Sequence, residues 1–274
     1  AWRETGALLG VSAAAVAPTL LGPMGSPYAA FAIGFAVLCL AALLAMRGEW
    51  AAPGEAAASA GLREFADVLA DPVARRLLFV ALANAAPVAV SASLFLFFVE
   101  DALMAPAWAG PLLLLFFLAA AGAAPLWAAL ARRIGTRLAL SIGMALAIAA
   151  FAPVPWLGPG DVGVFAVICV VSGATLGADL TLLPALFARR MAEVAPGAAA
   201  GFGLWAFVTK LTLALAAIVI LPALDAAGFV AGGTSPAAAL QLLGLLYAGL
   251  PCGLKLIALA LLWAGPLERQ MVES

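Results

Sequence analysis

Residues 107–137 read AWAGPLLLLFFLAAAGAAPLWAALARRIGTR, a run of apolar and small residues from Ala107 to Ala131 closed by Arg132, Arg133 and Arg137. An α-helix needs about 20 apolar residues to cross a hydrocarbon core ~30 Å thick. Arginines immediately past such a run mark its cytoplasmic end, because lysine and arginine accumulate in the loops that stay inside. One stretch therefore sets both the class of protein and a direction across the lipid.

The same reading repeats along the chain. Apolar runs of spanning length occupy residues 6–22, 28–46, 77–99, 107–131, 138–157, 162–188, 199–224 and 237–263. Alternation of period two is absent, so the spans are expected to be helices, the form that satisfies every backbone group within one segment. Gly25-Ser26-Pro27, Gly158-Pro159-Gly160 and Gly232-Gly233-Thr234-Ser235-Pro236 are turn signals between them. All eleven arginines fall on one side of this arrangement: Arg3 before the first run, Arg47, Arg63, Arg75 and Arg76 between the second and third, then Arg132, Arg133 and Arg137, Arg189 and Arg190, and Arg269 in the tail. The opposite connections hold Glu100, Asp101, Asp161 and Asp225 without a lysine or arginine. Both ends of the chain are expected to be cytoplasmic.

Composition agrees. Hydrophobic residues make up 66% of the 274 and charged residues 10%, too few polar groups to cover the surface of a soluble domain. A net charge of −1 leaves no electrostatic footprint for nucleic acid. Histidine is absent, which removes the commonest general base and metal ligand. Cys39, Cys169 and Cys252 sit singly in apolar runs and read as small packing residues, not as disulfides or metal ligands. No phosphate loop, nucleophile elbow or metal-ligand spacing occurs, so no catalytic residue, enzyme activity, cofactor or metal is expected. The excess of Ala, Gly and Arg over Lys fits a GC-rich bacterial source.

Residues 47–76 form the long polar connection. Pro53-Gly54-Glu55-Ala56 reads as linker, and Leu62-Arg63-Glu64-Phe65-Ala66-Asp67-Val68-Leu69 has apolar positions at helical spacing, as in a short amphipathic helix on the membrane surface. The chain divides into two helices (1–46), this central loop (47–76) and six helices with a tail (77–274).

Asp179, Lys210 and Lys255 are the ionisable residues well inside apolar runs. At 1.5 Å per residue each lies roughly 12–15 Å from the cytoplasmic interface, near the midplane. An unpaired charge there costs at least ~2.5–3.5 kcal/mol. Pairing Asp179 with Lys210 would offset part of that cost and offer a proton- or cation-coupled switch. The alternatives are a static structural pair, or lysines reaching towards the cytoplasm, to which Lys255 is best placed. Pro87, Gly122, Pro125, Gly173, Gly177, Pro184, Pro251 and Gly253 interrupt the spans. Such breaks either present backbone groups to a substrate or are tolerated kinks and close packing, as Gly173-x-x-x-Gly177 suggests. Asn84, Ser91, Ser93, Gln241 and Tyr247 either face a polar cavity or bond between helices.

Several stretches resemble the glycoside–pentoside–hexuronide:cation symporters, the melibiose-permease-like branch of the major facilitators. Pro125-Leu-Trp127-Ala-Ala-Leu-Ala-Arg132-Arg133-Ile-Gly135-Thr-Arg137 resembles that family's loop between helices eight and nine. Gly177-Ala-Asp179-Leu-Thr-Leu-Leu-Pro184 resembles its tenth helix, and Gly201-Phe-Gly-Leu-Trp205-Ala-Phe-Val-Thr-Lys210-Leu its eleventh, with the lysine tied to the cation and sugar sites. Trp2-Arg3-Glu4 with Gly10 resembles the start of its fifth, whose arginine borders the sugar cavity. The chain departs from the family after Pro184, where Arg189 and Ala192 replace acidic residues.

The resemblance implies an all-α polytopic membrane protein with a partial major facilitator fold. Its eight transmembrane helices are two of the N-terminal bundle and the whole six-helix C-terminal bundle, with four helices before Ala1. It implies a secondary active transporter in a bacterial inner membrane, a cation-coupled symporter of a sugar-like or other small polar solute working by alternating access. Na+ or H+ is the coupling ion, and the protein is a monomer whose partners are the lipid bilayer and the solute. Arg3, Asp179, Lys210 and Lys255 would line the substrate and cation pathway, and Arg132, Arg133 and Arg137 would form ion pairs at a cytoplasmic gate. A non-transporting membrane protein, such as a sensor, an assembly factor or a decayed paralogue, is the alternative.

Overall fold

Asp71-Pro72 shows how a span starts here. Asp71 caps the helix by accepting the Ala74 N–H at 2.6 Å, and Pro72 takes a first-turn position where a missing N–H costs nothing. The computed structural model describes residues 27–50, 62–194 and 199–264, together with Gly6 and Gly10. The expected first span, the Pro53–Ala56 linker and Arg3 lie outside the described residues.

The helices are α1 (Pro27–Trp50), α2 (Leu62–Ala70), α3 (Pro72–Phe97), α4 (Ala109–Ile134), α5 (Thr136–Phe151), α6 (Val162–Val194), α7 (Ala199–Ala226), α8 (Ala237–Gly244) and α9 (Leu250–Trp263). A π-helical turn, Phe98–Ala102, prolongs α3, and another, Leu245–Gly249, joins α8 to α9 as one span. Among the described residues seven helical segments are long and apolar enough to cross a membrane, and each coincides with an expected run. The chain is an all-α polytopic membrane protein. The expected amphipathic helix forms as α2, with Val68 buried and Glu64 and Asp67 exposed. Two spans run further than hydropathy alone placed them: α3 takes in Arg75 and Arg76, and α6 continues through Arg189 and Arg190. Arginines extend a helix past the apolar stretch when their heads find partners at the interface.

Among the described residues, α3 packs against α7 and α9, α6 against α4 and α5, and α9 also touches α5. Lipid tails are as apolar as leucine, so close packing and hydrogen bonds must hold these helices together. Gly173 and Gly177 allow the closest approach. A Cβ at Gly173 would stand 2.2 Å from the Phe116 carbonyl oxygen, and one at Gly177 2.6 Å from that of Ala120. The Gly-x-x-x-Gly spacing is thus the seat of α4 on α6, fastened by the Trp127 indole N–H donating to the Ala174 carbonyl at 2.7 Å. Pro251 has no N–H and its ring crowds the carbonyl four residues back, at Tyr247. Tyr247 lies inside the π-helical turn that absorbs the conflict. The link from α4 to α5 is Gly135 alone, at φ 89° and ψ 146°, a conformation open essentially to glycine.

The arginine-bearing ends of α3, α5 and α6 meet at one end of the bundle. Arg76 donates to the carbonyls of Leu261 and Leu262 at 2.6–3.2 Å, filling acceptors that the last turn of α9 leaves open. The Arg137 guanidinium lies 4.2 Å from the centre of the Trp263 ring, and the Trp263 indole donates to Ser141 Oγ at 2.8 Å. At the other end the acidic connections meet: Asp101 accepts the Gly232 N–H at 2.9 Å, and the Leu103 carbonyl accepts that of Gly160 at 3.2 Å.

The buried side chains form two main apolar clusters, one per half of the bundle. The half at the arginine end gathers around Leu77, Leu140, Met144, Leu183 and Phe187. The other gathers around Phe98, Leu112, Phe165, Leu243 and Tyr247. A small third cluster around Ala120 and Leu176 lies between them, and so do several polar side chains.

Candidate functional site

The Lys255 ammonium donates to Asp179 Oδ2 and, at 2.6 Å, to Asn84 Oδ1. The three residues come from α9, α6 and α3, and their exposures of 5%, 9% and 3% mark a charge pair withdrawn from its surroundings. Each residue is flanked by apolar neighbours one helical turn or less away, Ala81 in α3, Ala178 in α6 and Ala258 in α9, all fully or almost fully buried. The triad thus borders the apolar half at the arginine end. A buried pair is weak evidence of stability, since desolvation consumes much of the attraction; its better-attested use is to fix register or to act as a switch. Asp179 Oδ1 has no hydrogen-bond partner among the described residues. Lys255 has three N–H donors, of which two are engaged.

Above the triad, towards the acidic end, opens a cavity of about 280 Å³ with Asp179 and Lys255 in its wall. Its sides are aromatic: Phe95, Phe116, Phe117, Phe151, Phe165 and Tyr247. Tyr247 stacks on Phe98 with centroids 4.5 Å apart, so the rings form a packed shell. Ser91, Ser172 and Thr175 also face the space, but Ser172 and Thr175 donate their hydroxyl hydrogens to carbonyls of their own helix at 2.6 and 2.8 Å.

The expected pairing of Asp179 with Lys210 is not formed. Lys210 is exposed because α7 packs on α3 through the stripe Thr212, Ala216, Ile220 and Leu224. Two residues before Thr212 lie about 200° round the helix. Nor does Lys255 reach for the cytoplasm: it is buried, and the partner expected to be Lys210's is its own. Arg132 and Arg133 are exposed, and the Arg137 guanidinium lies against the Trp263 ring. Arg190 forms ion pairs at that end, meeting Asp71 at 2.6 and 3.1 Å and Glu193 at 2.8 Å. Burial pushes the Asp71 carboxyl up, but the Arg190 guanidinium and the Ala74 N–H outweigh it and hold Asp71 below the ordinary carboxylate value.

Of the candidate polar residues, Asn84 bonds between helices, Ser91 and Tyr247 line the cavity, Ser93 donates back to Ala89 and Gln241 is exposed. The three cysteines are free thiols. Sequence reasoning missed Arg76 and Arg190 as fasteners; their positions at helix ends were the available signal.

No curated protein matches the chain. Residues 1–269 match the family described as MFS/sugar transport protein. With its apolar helices and its charge pair at membrane depth, the chain belongs to that family of the major facilitator superfamily.

Proposed function

We propose that this protein is a secondary active transporter that carries a small solute with a cation by alternating access. The observation that carries the reading is the Asp179–Lys255–Asn84 triad, buried at mid-height across three helices beside a cavity. A charge pair at bilayer depth marks a pathway or coupling site by default, and a pair that opens and closes gives two helices two arrangements to alternate between. Lys210 is assigned to the same pathway from the other side. An exposed ammonium midway along an apolar helix is too costly against acyl chains, so that face of α7 turns to protein or water. The arginine end is assigned to the cytoplasm and the membrane to the bacterial inner membrane.

The test is accumulation of solute in energised vesicles carrying the complete protein. Asp179→Asn and Lys255→Met should each abolish accumulation against a gradient while the protein still inserts. Accumulation equal to wild type in both variants would refute the role of the triad. Absence of flux for any solute, with the fold intact, would instead favour a non-transporting membrane protein.

A further inference from the structure

We infer that Asp179 and Asn84 form a cation seat that the Lys255 ammonium fills in place of an alkali ion, so that this seat is worked by protons. The coupling half of the inference rests on the transporter reading; the seat itself does not.

Hard cations bind oxygen: carboxylates, amide carbonyls and water. The Lys255 ammonium has that donor set, with Asp179 Oδ2 on one side and Asn84 Oδ1, at 2.6 Å, on another. An ammonium carries donors and no acceptor, so the amide must turn its oxygen inward. A lysine–aspartate pair needs no third residue for neutrality. The amide oxygen from α3 completes a cradle of three helices around one positive centre, adding an acceptor without adding charge. The Lys255 and Asp179 side chains are 6% and 8% exposed, so that centre is held away from bulk water. An alkali ion would have to settle beside the ammonium, where like charges repel.

Neutralising the carboxylate empties the seat, and one proton does this without moving a helix. Lys255 and Asp179 both stand in the cavity wall. The ammonium passes a proton along its hydrogen bond to Asp179 Oδ2, which leaves an amine and a carboxylic acid. The amine then takes a proton from water in the cavity and is an ammonium again. The balance is one proton gained. Asp179 Oδ1, sealed and without a hydrogen-bond partner among the described residues, takes no part. With its counter-ion gone, the ammonium is free to turn from Asp179 into the cavity, and α6 and α9 lose the bond that ties them.

The other titratable groups facing the triad's surroundings are few. Cys169 on α6, Cys252 on α9 and Tyr247 in the π-helical turn line the cavity. Among the described residues, α3, α4 and α5 place no charged side chain in its wall.

The test melts the purified complete protein in detergent micelles in NaCl, LiCl or choline chloride of equal ionic strength. Lys255→Ala vacates the seat, so it should gain a rise in melting temperature specific to sodium and lithium. The rise should be roughly 5 °C at about a hundredfold excess over the dissociation constant. Adding Asp179→Asn should remove it. No alkali response in Lys255→Ala, or one that survives Asp179→Asn, would overturn the seat. So would an alkali response of the wild type that Asp179→Asn removes, because the ammonium would then not hold the place. The proton half is read on the wild type by infrared difference spectroscopy, which stands even where Lys255→Ala fails to fold. Acidification should raise a carboxylic-acid carbonyl band that Asp179→Asn lacks; its absence throughout the pH range in which the protein stays folded would overturn the inference. Solute accumulation driven by a sodium gradient at uniform pH, and lost in Asp179→Asn, would sink it while leaving the transporter reading intact. An Asp179 band and an alkali-binding Lys255→Ala in a protein without flux would sink that reading alone.

Discussion

Replacing Lys255 by methionine keeps the length of the side chain and removes its charge, which isolates what the ammonium does. Asp179, 9% exposed, would be left as a buried carboxylate with neither oxygen paired. Breaking a buried ion pair from one side costs about 3–5 kcal/mol. Asn84 Oδ1, 2.6 Å from the lost donor, forfeits a further ~1 kcal/mol. A destabilisation of about 4–6 kcal/mol is therefore expected. Asp179→Asn combined with Lys255→Met removes both charges and should recover most of it, since neutral replacements avoid the desolvation cost. The assay is reversible denaturation of the purified protein in mixed micelles, with both single variants and the double variant forming a cycle. A Lys255→Met variant within ~1 kcal/mol of wild type would refute the reasoning, because the ammonium would then not be paired in the folded protein. A double variant no better than the single one would refute it equally, since loss of side-chain fit would then explain the effect.

Gly173→Ala should destabilise by about 1–3 kcal/mol, because its Cβ meets the Phe116 carbonyl at 2.2 Å and backbone cannot yield as a side chain can. Gly122→Ala, with nothing within 4 Å of the new carbon, is the control, and equal melting temperatures for the two would refute close packing of α4 on α6. Asp71→Ala removes a helix cap and the Arg190 pair, at an expected cost of about 1–2 kcal/mol at neutral pH. Because Asp71 is held below the ordinary carboxylate value in the folded state, its contribution is present above that ordinary value and lost as pH falls through the lowered one. The stability gap to wild type should narrow only in that acid range; a gap independent of pH would refute the assignment.

The spans were legible because hydropathy over 20 residues is a strong signal and the lipid leaves helices few alternatives. The arginine ends were legible for the same kind of reason, and so was α2, whose apolar positions recur at helical spacing. Which ions would meet was not. Sequence gives the depth of Asp179, Lys210 and Lys255 along their helices, and all three share a level. It does not give the rotation of each helix about its axis. In a soluble helix the polar face supplies that angle, but α7 and α9 are apolar almost all round, so no polar stripe told which of Lys210 and Lys255 faces Asp179. Packing decides: Lys255 shares a buried face with Pro251, Ala258 and Leu262, while Lys210 lies opposite the stripe that α7 buries. Asn84, an uncharged partner on a third helix, carries no sequence signal beyond being a polar residue in an apolar run.

Asp179 and Lys255 stand 76 residues apart in the chain. A ribosome adding about 5–20 residues per second needs roughly 4–15 s to reach the second after the first. For that interval α6 carries a carboxylate whose ammonium does not yet exist, although Asn84 has already been synthesised and can offer its amide. The newborn helix must wait against α3, or within the insertion machinery, before it can be released to lipid. Chain truncations ending between the two residues should therefore be held back and degraded, which makes α9 the helix that licenses assembly.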